Sequence, residues 1–260
     1  MQCERKGVFL DFFSLKTVLI LGAGVAAGFI NVLAGGGSLI TMPVLIFLGL
    51  PAATANGTNR IAILSQNIFA VSNFKKKGYF YWKTGLLLAI PAVIGSIIGS
   101  SIAVDISGEL FEKILSIVML AVLGLILFSN IKKKANMMKN EKPQNIPYLI
   151  IGFFFVGLYG GFIQGGVGFI IIAVLSIIGQ ITLLKTNTIK VLIIGIYMIP
   201  SLIIFYINGN LNFVYGLLLA VGNSAGAWMG SNFAVNKGDK WIRIILAVAI
   251  VAMSVKLFFF

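Results

Sequence analysis

The chain has 260 residues, of which 59% are hydrophobic and only 10% are charged. Soluble domains average about 25% charged residues, so this composition excludes a disordered chain, a basic nucleic-acid-binding domain and an ordinary soluble enzyme. The net charge of +13 comes from lysines that cluster between apolar runs, at Lys75–Lys77 and from Lys132 to Lys142. Because such clusters are typical of cytoplasmic loops, we expect a multi-pass protein that sits in the lipid bilayer and binds no nucleic acid.

Ten apolar runs follow one another along the chain. A spanning helix needs roughly 20 mainly apolar residues, so we predict an all-α polytopic membrane protein with about eight full transmembrane helices and two short or broken ones. The runs lie at about 15–34, 38–50, 61–74, 84–104, 114–130, 146–163, 167–181, 189–207, 211–235 and 241–260. The two short runs, 38–50 and 167–181, each follow a glycine cluster, which predicts a half-helix beside a break in the chain.

An internal repeat organises these runs. Residues 85–104 align without gaps to residues 216–235, and ten of those twenty positions are identical. An offset of 130 pairs the two glycine clusters, and it also pairs Thr58 with Thr188 and Arg60 with Lys190. We therefore divide the chain into three parts, which are a first transmembrane repeat (1–131), a basic cytoplasmic linker (132–147) and a second transmembrane repeat (148–260).

The relative orientation of the repeats depends on the number of crossings in each, since an odd number inverts the second repeat. If residues 15–50 formed one helix, it would be about 54 Å long, whereas the hydrocarbon core of a bilayer is ~30 Å thick. A hairpin bent at Gly35–Gly37 fits the bilayer more easily. We therefore expect inverted repeats, although the distribution of lysines and arginines fits both layouts.

The acidic residues all lie in loops or at the ends of apolar runs: Glu4, Asp11, Asp105, Glu109, Glu112, Glu141 and Asp239. Proton-coupled transporters often use buried Asp, Glu or His relays, and this sequence contains no histidine and no carboxylate in the middle of a run. The chain also has a single cysteine, Cys3, which cannot form an internal disulfide or a metal site alone. We expect no metal, no cofactor and no enzymatic activity.

Polar residues gather around the starts of the third and eighth runs. A cation beside amide and hydroxyl donors suits an oxyanion, which Arg holds through two parallel hydrogen bonds and Lys holds as a point charge. The alternative is that Arg60 and Lys190 extend to the lipid interface as topology anchors. The candidates for substrate binding here are Asn56, Thr58, Asn59 and Arg60 in the first repeat, and Asn187, Thr188 and Lys190 in the second.

The two glycine clusters supply the rest of the predicted site. A helix that begins after a break directs its free N–H groups and the positive end of its dipole into that break, where an anion can bind. In transporters, interrupted helices at corresponding places of two repeats point to the substrate site. The candidates here are Asn31, Gly35, Gly36, Gly37, Ser38, Gln164, Gly165 and Gly166. For Gly95, Gly99, Gly226 and Gly230, we expect close helix packing instead.

Two segments resemble the repeat signatures of the TauE/SafE family of membrane proteins, the sulfite exporters. Residues 28–60 (GFINVLAGGGSLITMPVLIFLGLPAATANGTNR) resemble the first signature, and residues 160–175 (GGFIQGGVGFIIIAVL) with 185–190 (KTNTIK) resemble the second. The second repeat has Gly-Gly-Val-Gly where the first has Gly-Gly-Gly-Ser, so the two halves are expected to contribute unequally.

The resemblance implies a duplicated polytopic fold in the cytoplasmic membrane of a prokaryote. It also implies the transport, usually outward, of small sulfur-containing anions such as sulfite or organosulfonates. The residues alone predict an anionic substrate, and the resemblance adds the sulfur. We expect alternating access between the two repeats. A transporter of another small solute, an importer of a sulfur compound and an accessory membrane subunit stay open as alternatives, as does the oligomeric state.

Overall fold

The structure is a computed structural model that describes residues 15–106, 109–110, 113–114, 117 and 143–259, with side chains as far as residue 237 and at Trp241 and Ile244. Most of the predicted apolar run 114–130 lies outside the described residues, and so do residues 132–142 of the predicted linker. The division of the chain into two repeats and a linker therefore stays a prediction.

Eight helices make up the described part of the chain. They are α1 (Leu15–Leu33), α2 (Ser38–Phe47), α3 (Ala52–Lys76), α4 (Trp82–Asp105), α5 (Ile146–Phe162), α6 (Val167–Ile177), α7 (Leu183–Ile207) and α8 (Phe213–Phe259). Four of them contain a stretch long and apolar enough to cross a membrane, namely α1, α4, α7 and the Phe213–Lys237 part of α8. The chain is thus a helical, multi-pass membrane protein, but the expected number of about eight full crossings is not confirmed.

The two short helices predicted after the glycine clusters are present. The α2 helix has 10 residues and α6 has 11, so each is about 15–17 Å long, roughly half the thickness of the hydrocarbon core. Gly35 and Gly166 have φ angles of +91° and +75° in the breaks before them. Glycine adopts this left-handed conformation without the steric cost that a side chain would add, which explains why the chain turns at these clusters.

One predicted boundary is wrong. The last two apolar runs, 211–235 and 241–260, belong to the single continuous helix α8. The polar residues between them contain no proline and only one glycine, Gly238. Polar residues lower helix propensity much less than proline or glycine does, so this polar segment does not end the helix.

Glycines bring the first helix of each predicted repeat against the last described helix of the other repeat. A Cβ on Gly226 of α8 would overlap the carbonyl oxygen of Val25 in α1, and a Cβ on Gly95 of α4 would overlap that of Phe154 in α5. The expected role of these glycines in close helix packing is confirmed. Without a hydrophobic driving force between helices in lipid, such close backbone contact is a main source of association.

The order of these contacts gives the helix directions. The α1, α3 and α8 helices run parallel to one another, and so do α4, α5 and α7, whereas α3 and α7 are antiparallel. The contacts that establish this are Gly24–Leu219 and Phe29–Gly230 for α1 and α8, Ile61–Gly216 and Asn73–Ser231 for α3 and α8, Ala92–Gly157 and Ser96–Gly161 for α4 and α5, Gly85–Leu192 and Ser100–Ser201 for α4 and α7, and Gly57–Phe205 and Asn67–Gly195 for α3 and α7.

We expect Gly226→Ala to lower the midpoint of thermal unfolding in detergent, because overpacking a tight contact costs about 1–3 kcal/mol. Gly22→Ala is the matched control, since Gly22 lies in α1 with nothing within 4 Å of an added Cβ. Intrinsic tryptophan fluorescence during heating measures both midpoints. Equal midpoints for the two variants would contradict the role of Gly226 in helix packing.

Candidate functional site

The two glycine breaks meet inside the protein. Gly35, in the first break, packs against Gly168, at the start of α6, so closely that a Cβ on either residue would overlap the backbone of the other. Gly37 packs equally closely on Ala27 of α1, which closes the α1–α2 hairpin. The breaks of the two predicted repeats therefore form one contiguous region.

Lys190 binds the carbonyl end of α1. Its Nζ atom donates to the carbonyl oxygens of Asn31 and Val32, at 2.9 Å each, and to Oδ1 of Asn187 at 2.8 Å. Nδ2 of Asn187 donates to the carbonyl of Leu33 at 3.1 Å. The last carbonyls of a helix lack intrahelical donors and carry the negative end of its dipole. A cation and an amide from the second repeat therefore cap the broken helix of the first.

Arg60 binds the carbonyl end of α5 in the same way. Its guanidinium donates to the carbonyl oxygens of Gly160 at 3.2 Å and Gly161 at 2.6 Å, and to Oδ1 of Asn56 at 3.2 Å. Nδ2 of Asn56 donates to the carbonyl of Phe162 at 2.8 Å. A cation and an amide from the first repeat thus cap the broken helix of the second, so the two halves hold each other reciprocally.

The capped carbonyls are equivalent in the two halves. The last residues of α1 and α5, Leu33 and Phe162, differ by 129 positions, and the bounds of α3 and α7 both differ by 131. With the offset of 131, Asn56 corresponds to Asn187. Arg60 corresponds to Val191, which is one position after Lys190. The offset of 130 that paired Arg60 with Lys190 is therefore corrected by one residue, although the two cations do the same work.

The capping cations are fully enclosed by the protein. Arg60 is 0% exposed and Lys190 is 1% exposed, so neither side chain extends to the lipid interface, as the alternative interpretation required. Within the described ranges no Asp or Glu contacts either cation; their acceptors are carbonyl, amide, hydroxyl and thioether groups, and Phe205 lies under the Arg60 guanidinium at 4.3 Å. Among the described residues, only neutral groups contact the two buried cations.

Arg60 and Lys190 differ in their remaining capacity to donate. The three hydrogens of the Lys190 ammonium match three acceptors, whereas Nε of Arg60 is buried without a partner. Nδ2 of Asn59, the residue before Arg60, and Oγ1 of Thr186, the residue before Asn187, are also buried without a partner. Leaving a buried donor unpaired costs about 1–3 kcal/mol, so these three groups are available to a bound water or ligand.

The other predicted residues have varied surroundings. In the second break, Gln164 accepts a hydrogen bond from the hydroxyl of Tyr197 at 3.0 Å, and the carbonyl of Gly165 accepts one from the hydroxyl of Tyr159. In the first, Ser38 begins α2, and Asn59 accepts a hydrogen bond from Thr41 at 2.7 Å. The structure therefore brings these residues close to the two breaks.

Two predicted residues bond away from the breaks. Oγ1 of Thr58 accepts from the backbone N–H of Asn212, in the segment before α8, at 2.9 Å. Oγ1 of Thr188 donates to the carbonyl of Leu184, in its own helix, at 2.9 Å. Their proposed contact with substrate would require these hydrogen bonds to be exchanged.

Four residues near the cations were not predicted from the sequence. Ser201 accepts from the Arg60 guanidinium at 2.5 Å and contacts Ser100, which donates to the carbonyl of Gly161 at 3.1 Å. Tyr159 and Tyr197 hold the second break through their hydroxyls. The sequence feature that could have identified them is a polar group in the middle of an apolar run, because such a group is costly in lipid unless it has a partner.

The candidate site is closed to solvent. The polar side chains proposed for it are at most 5% exposed, the largest value being that of Asn31. A groove of about 380 Å³ between α1 and α2 is lined by apolar residues such as Val18 and Phe47 and by no predicted site residue. A solute can reach the breaks only after the surrounding helices move.

Broken helices from two halves that meet in the core of a multi-pass protein are typical of membrane transporters, and comparison with known proteins agrees. The chain matches the family "Sulfite exporter TauE/SafE" over residues 20–257. It belongs to this family, which confirms the resemblance seen in the repeat signatures.

Curated relatives support the same class. The chain is 26% identical to "Probable membrane transporter protein ORF9" of Sinorhizobium sp over 94% of this chain and 93% of the relative. It is 28% identical to "Probable membrane transporter protein YfcA" of Escherichia coli K12 over 93% and 90%. It is 27% identical to a "Probable membrane transporter protein" of Haemophilus influenzae over 92% and 93%. No solved structure matches the chain.

The reciprocal caps predict that Lys190→Met loosens the end of α1. The carbonyls of Asn31 and Val32 would lose their donor, at about 1–3 kcal/mol for each unsatisfied group. Hydrogen–deuterium exchange in detergent should then speed up at the backbone amides of residues 31–39. Lys185→Met is the control from the same helix, because the Lys185 ammonium lies over the ring of Tyr81, 4.3 Å from its centroid. Unchanged exchange in Lys190→Met would show that the cap does not hold α1.

Proposed function

We propose that the protein is a secondary transporter that moves a small anion, sulfite or an organosulfonate, outward across the cytoplasmic membrane. The observation that carries this proposal is the pair of buried cations, Arg60 and Lys190, at the ends of the two broken helices. Their surroundings in the described part of the chain contain no carboxylate. The family supplies the sulfur chemistry, since its description is that of a sulfite exporter.

The helix ends neutralise only part of the charge of the cations that cap them. Each broken helix presents roughly half a negative charge at its carbonyl end, so each capping cation keeps an uncompensated positive charge. A buried charge is costly unless it is paired. An anion that enters between the breaks would supply the missing negative charge, and this favours an anionic substrate over a neutral or cationic one.

The proposed contacts differ between the two halves. Arg60 offers its unpartnered Nε–H and Asn59 its Nδ2, so the first repeat would donate directly to substrate oxygens. Lys190, whose donors are all in use, would act mainly through its charge. Backbone N–H groups of the glycine breaks, together with Gln164 and Ser38, would complete the binding site. This unequal division agrees with the different sequences of the two glycine clusters.

Alternating access between inverted repeats would open the closed site to each side in turn. The helix directions support this part of the proposal, because every pair of equivalent helices with an established direction is antiparallel. The equivalent pairs are α1 with α5, α3 with α7, and α4 with α8. The helices α1, α3 and α8 run in one direction, and α5, α7 and α4 run in the opposite direction. A two-fold axis in the membrane plane relates repeats of this kind.

The transport proposal is tested with purified protein in liposomes loaded with sulfite. We expect saturable efflux of sulfite from the wild type. Arg60→Ala should lower that efflux at least tenfold, since losing a charge-assisted hydrogen bond typically costs about 1.5–3 kcal/mol. Lys83→Ala is the control for the loss of one positive charge, because Lys83 lies at the surface beside Trp82.

Arg60→Ala also removes the cap on α5, so a second variant separates binding from folding. Asn59→Asp keeps the size of the side chain and replaces the unpartnered amide with a group that repels anions. It should raise the sulfite concentration needed for half-maximal efflux while leaving thermal stability closer to that of the wild type. Wild-type protein that transports taurine but not sulfite would narrow the substrate to organosulfonates, and transport of thiosulfate alone would contradict the proposed substrate. Protein that transports no solute alone would favour the accessory-subunit alternative.

Inverted repeats predict that equivalent helix ends face opposite sides of the membrane. Lys77 follows α3 and Asn208 follows α7 at the equivalent position. In a Cys3→Ser background, Lys77→Cys should react with an impermeant thiol reagent only from the cytoplasmic side, and Asn208→Cys only from the outside. Reaction of both variants from the same side would contradict inversion and favour parallel repeats.

A further inference from the structure

Two equivalent helix interfaces differ in polarity. One joins α3 to α8, and the other joins α7 to α4. Along α3, the amide residues Asn59, Gln66 and Asn73 recur every seven residues, a spacing that places them on one side of the helix. The equivalent residues of α7 are Lys190, Tyr197 and Ile204. From Asn59 to Asn73 the row covers about 21 Å along the helix, and it ends beside the lysines Lys75 and Lys76.

The α8 helix presents a matching polar row. Ser224 shares a hydrogen bond of 2.8 Å with Ser65, and Nδ2 of Asn223 donates to Gln66 at 3.2 Å. Nδ2 of Asn73 donates to Oγ of Ser231 at 2.7 Å. Polar side chains thus line the α3–α8 interface from the middle of α3 to its lysine-bearing end.

At the equivalent positions the α4–α7 interface is less polar, although Ser96 and Ser100 of α4 hydrogen-bond to the carbonyl of Tyr197 and to Ser201. The counterparts of Ser65 and Gln66 are Ile196 and Tyr197, and those of Asn223 and Ser224 are Ala92 and Val93. All four belong to or pack against one hydrophobic cluster between α4, α5, α6 and α7. Helix packing alone therefore does not require polar residues at these positions, because the duplicated half packs with apolar ones.

One acceptor in the polar interface lacks a partner. Oδ1 of Asn223 is buried without a hydrogen bond, and the residue is only 2% exposed. Buried polar groups are nearly always paired with protein or with ordered water, and in the membrane an unpaired group is especially costly. The empty hydrogen-bonding capacity lies on the same interface as the polar rows.

We propose that the α3–α8 interface is the hydrated path by which the central site communicates with the lysine-bearing side of the membrane. The less polar α4–α7 interface is the counterpart that seals the other side. This inference rests on the proposed transport function for its purpose, but the path is defined by its residues and is tested without a transport assay. By the positive-inside rule, the side that Lys75–Lys77 mark is the cytoplasm.

The chain has one cysteine, so a Cys3→Ser background permits a direct test in inside-out vesicles with an impermeant, negatively charged methanethiosulfonate. Ser224→Cys changes a single atom and tests the polar interface, and Val93→Cys is the matched control at the equivalent position of the other half. Because thiols react as thiolates, which form in water, we expect Ser224→Cys to react at least about tenfold faster than Val93→Cys. Asn223→Cys and Ala92→Cys provide a second matched pair.

Equal, slow reaction of both pairs would overturn the hydrated path, provided that the variants elute as the wild type does in size-exclusion chromatography. Fast reaction of Ser224→Cys and Asn223→Cys alone supports it. If sulfite slows that reaction, the path carries the proposed substrate. If the reaction is fast but the liposomes show no transport of sulfite, the path stands while the proposed substrate fails, so the two hypotheses are separable.

Discussion

The structure depends on how the protein satisfies two helix ends that stop inside its own interior. A helix that breaks in a bilayer exposes carbonyl groups that neither water nor lipid can satisfy. Here the carbonyls at the ends of α1 and α5 receive a cation and an amide from the opposite half, Lys190 with Asn187 and Arg60 with Asn56. Neither broken helix is satisfied without the other half, so the two halves form one structural unit.

Glycine makes this arrangement sterically feasible. The breaks touch at Gly35 and Gly168, and the long helices pack backbone to backbone at Gly95 and Gly226. Any side chain at these positions would push apart the elements that carry the cations and their carbonyl partners. The many glycines of this chain therefore serve two purposes, which are the turns at the breaks and the short distances that let the caps form.

Much of the fold was predictable from local sequence. The apolar runs predicted membrane helices, the glycine clusters predicted the short helices α2 and α6, and Gly95 and Gly226 predicted tight packing. The continuity of α8 was not predicted, because the weak helix propensity of a short polar segment does not decide whether a helix ends.

For the candidate site, the sequence predicted the residue types but not their partners. Arg60 and Lys190 were singled out as cations beside amides, yet nothing local shows that Arg60 reaches Gly160 and Gly161, a hundred positions away. That pairing depends on the tertiary packing that brings α5 to the Arg60 side chain of α3, and the one-residue correction of the register required the bounds of the helices. Ser201 was missed for the same reason, because its importance comes from the guanidinium that it contacts.

The caps also offer a physical link between substrate binding and movement in the proposed transport cycle. A ligand shifts a conformational equilibrium only to the extent that it binds the two states differently. An anion between the breaks would compete with the carbonyls of α5 for the donors of Arg60, and this would weaken the contact that fixes one half against the other. Lys190 holds α1 with all its donors and with no spare capacity. The contact between Lys190 and α1 would therefore persist during the movement, while the contact between Arg60 and α5 would weaken.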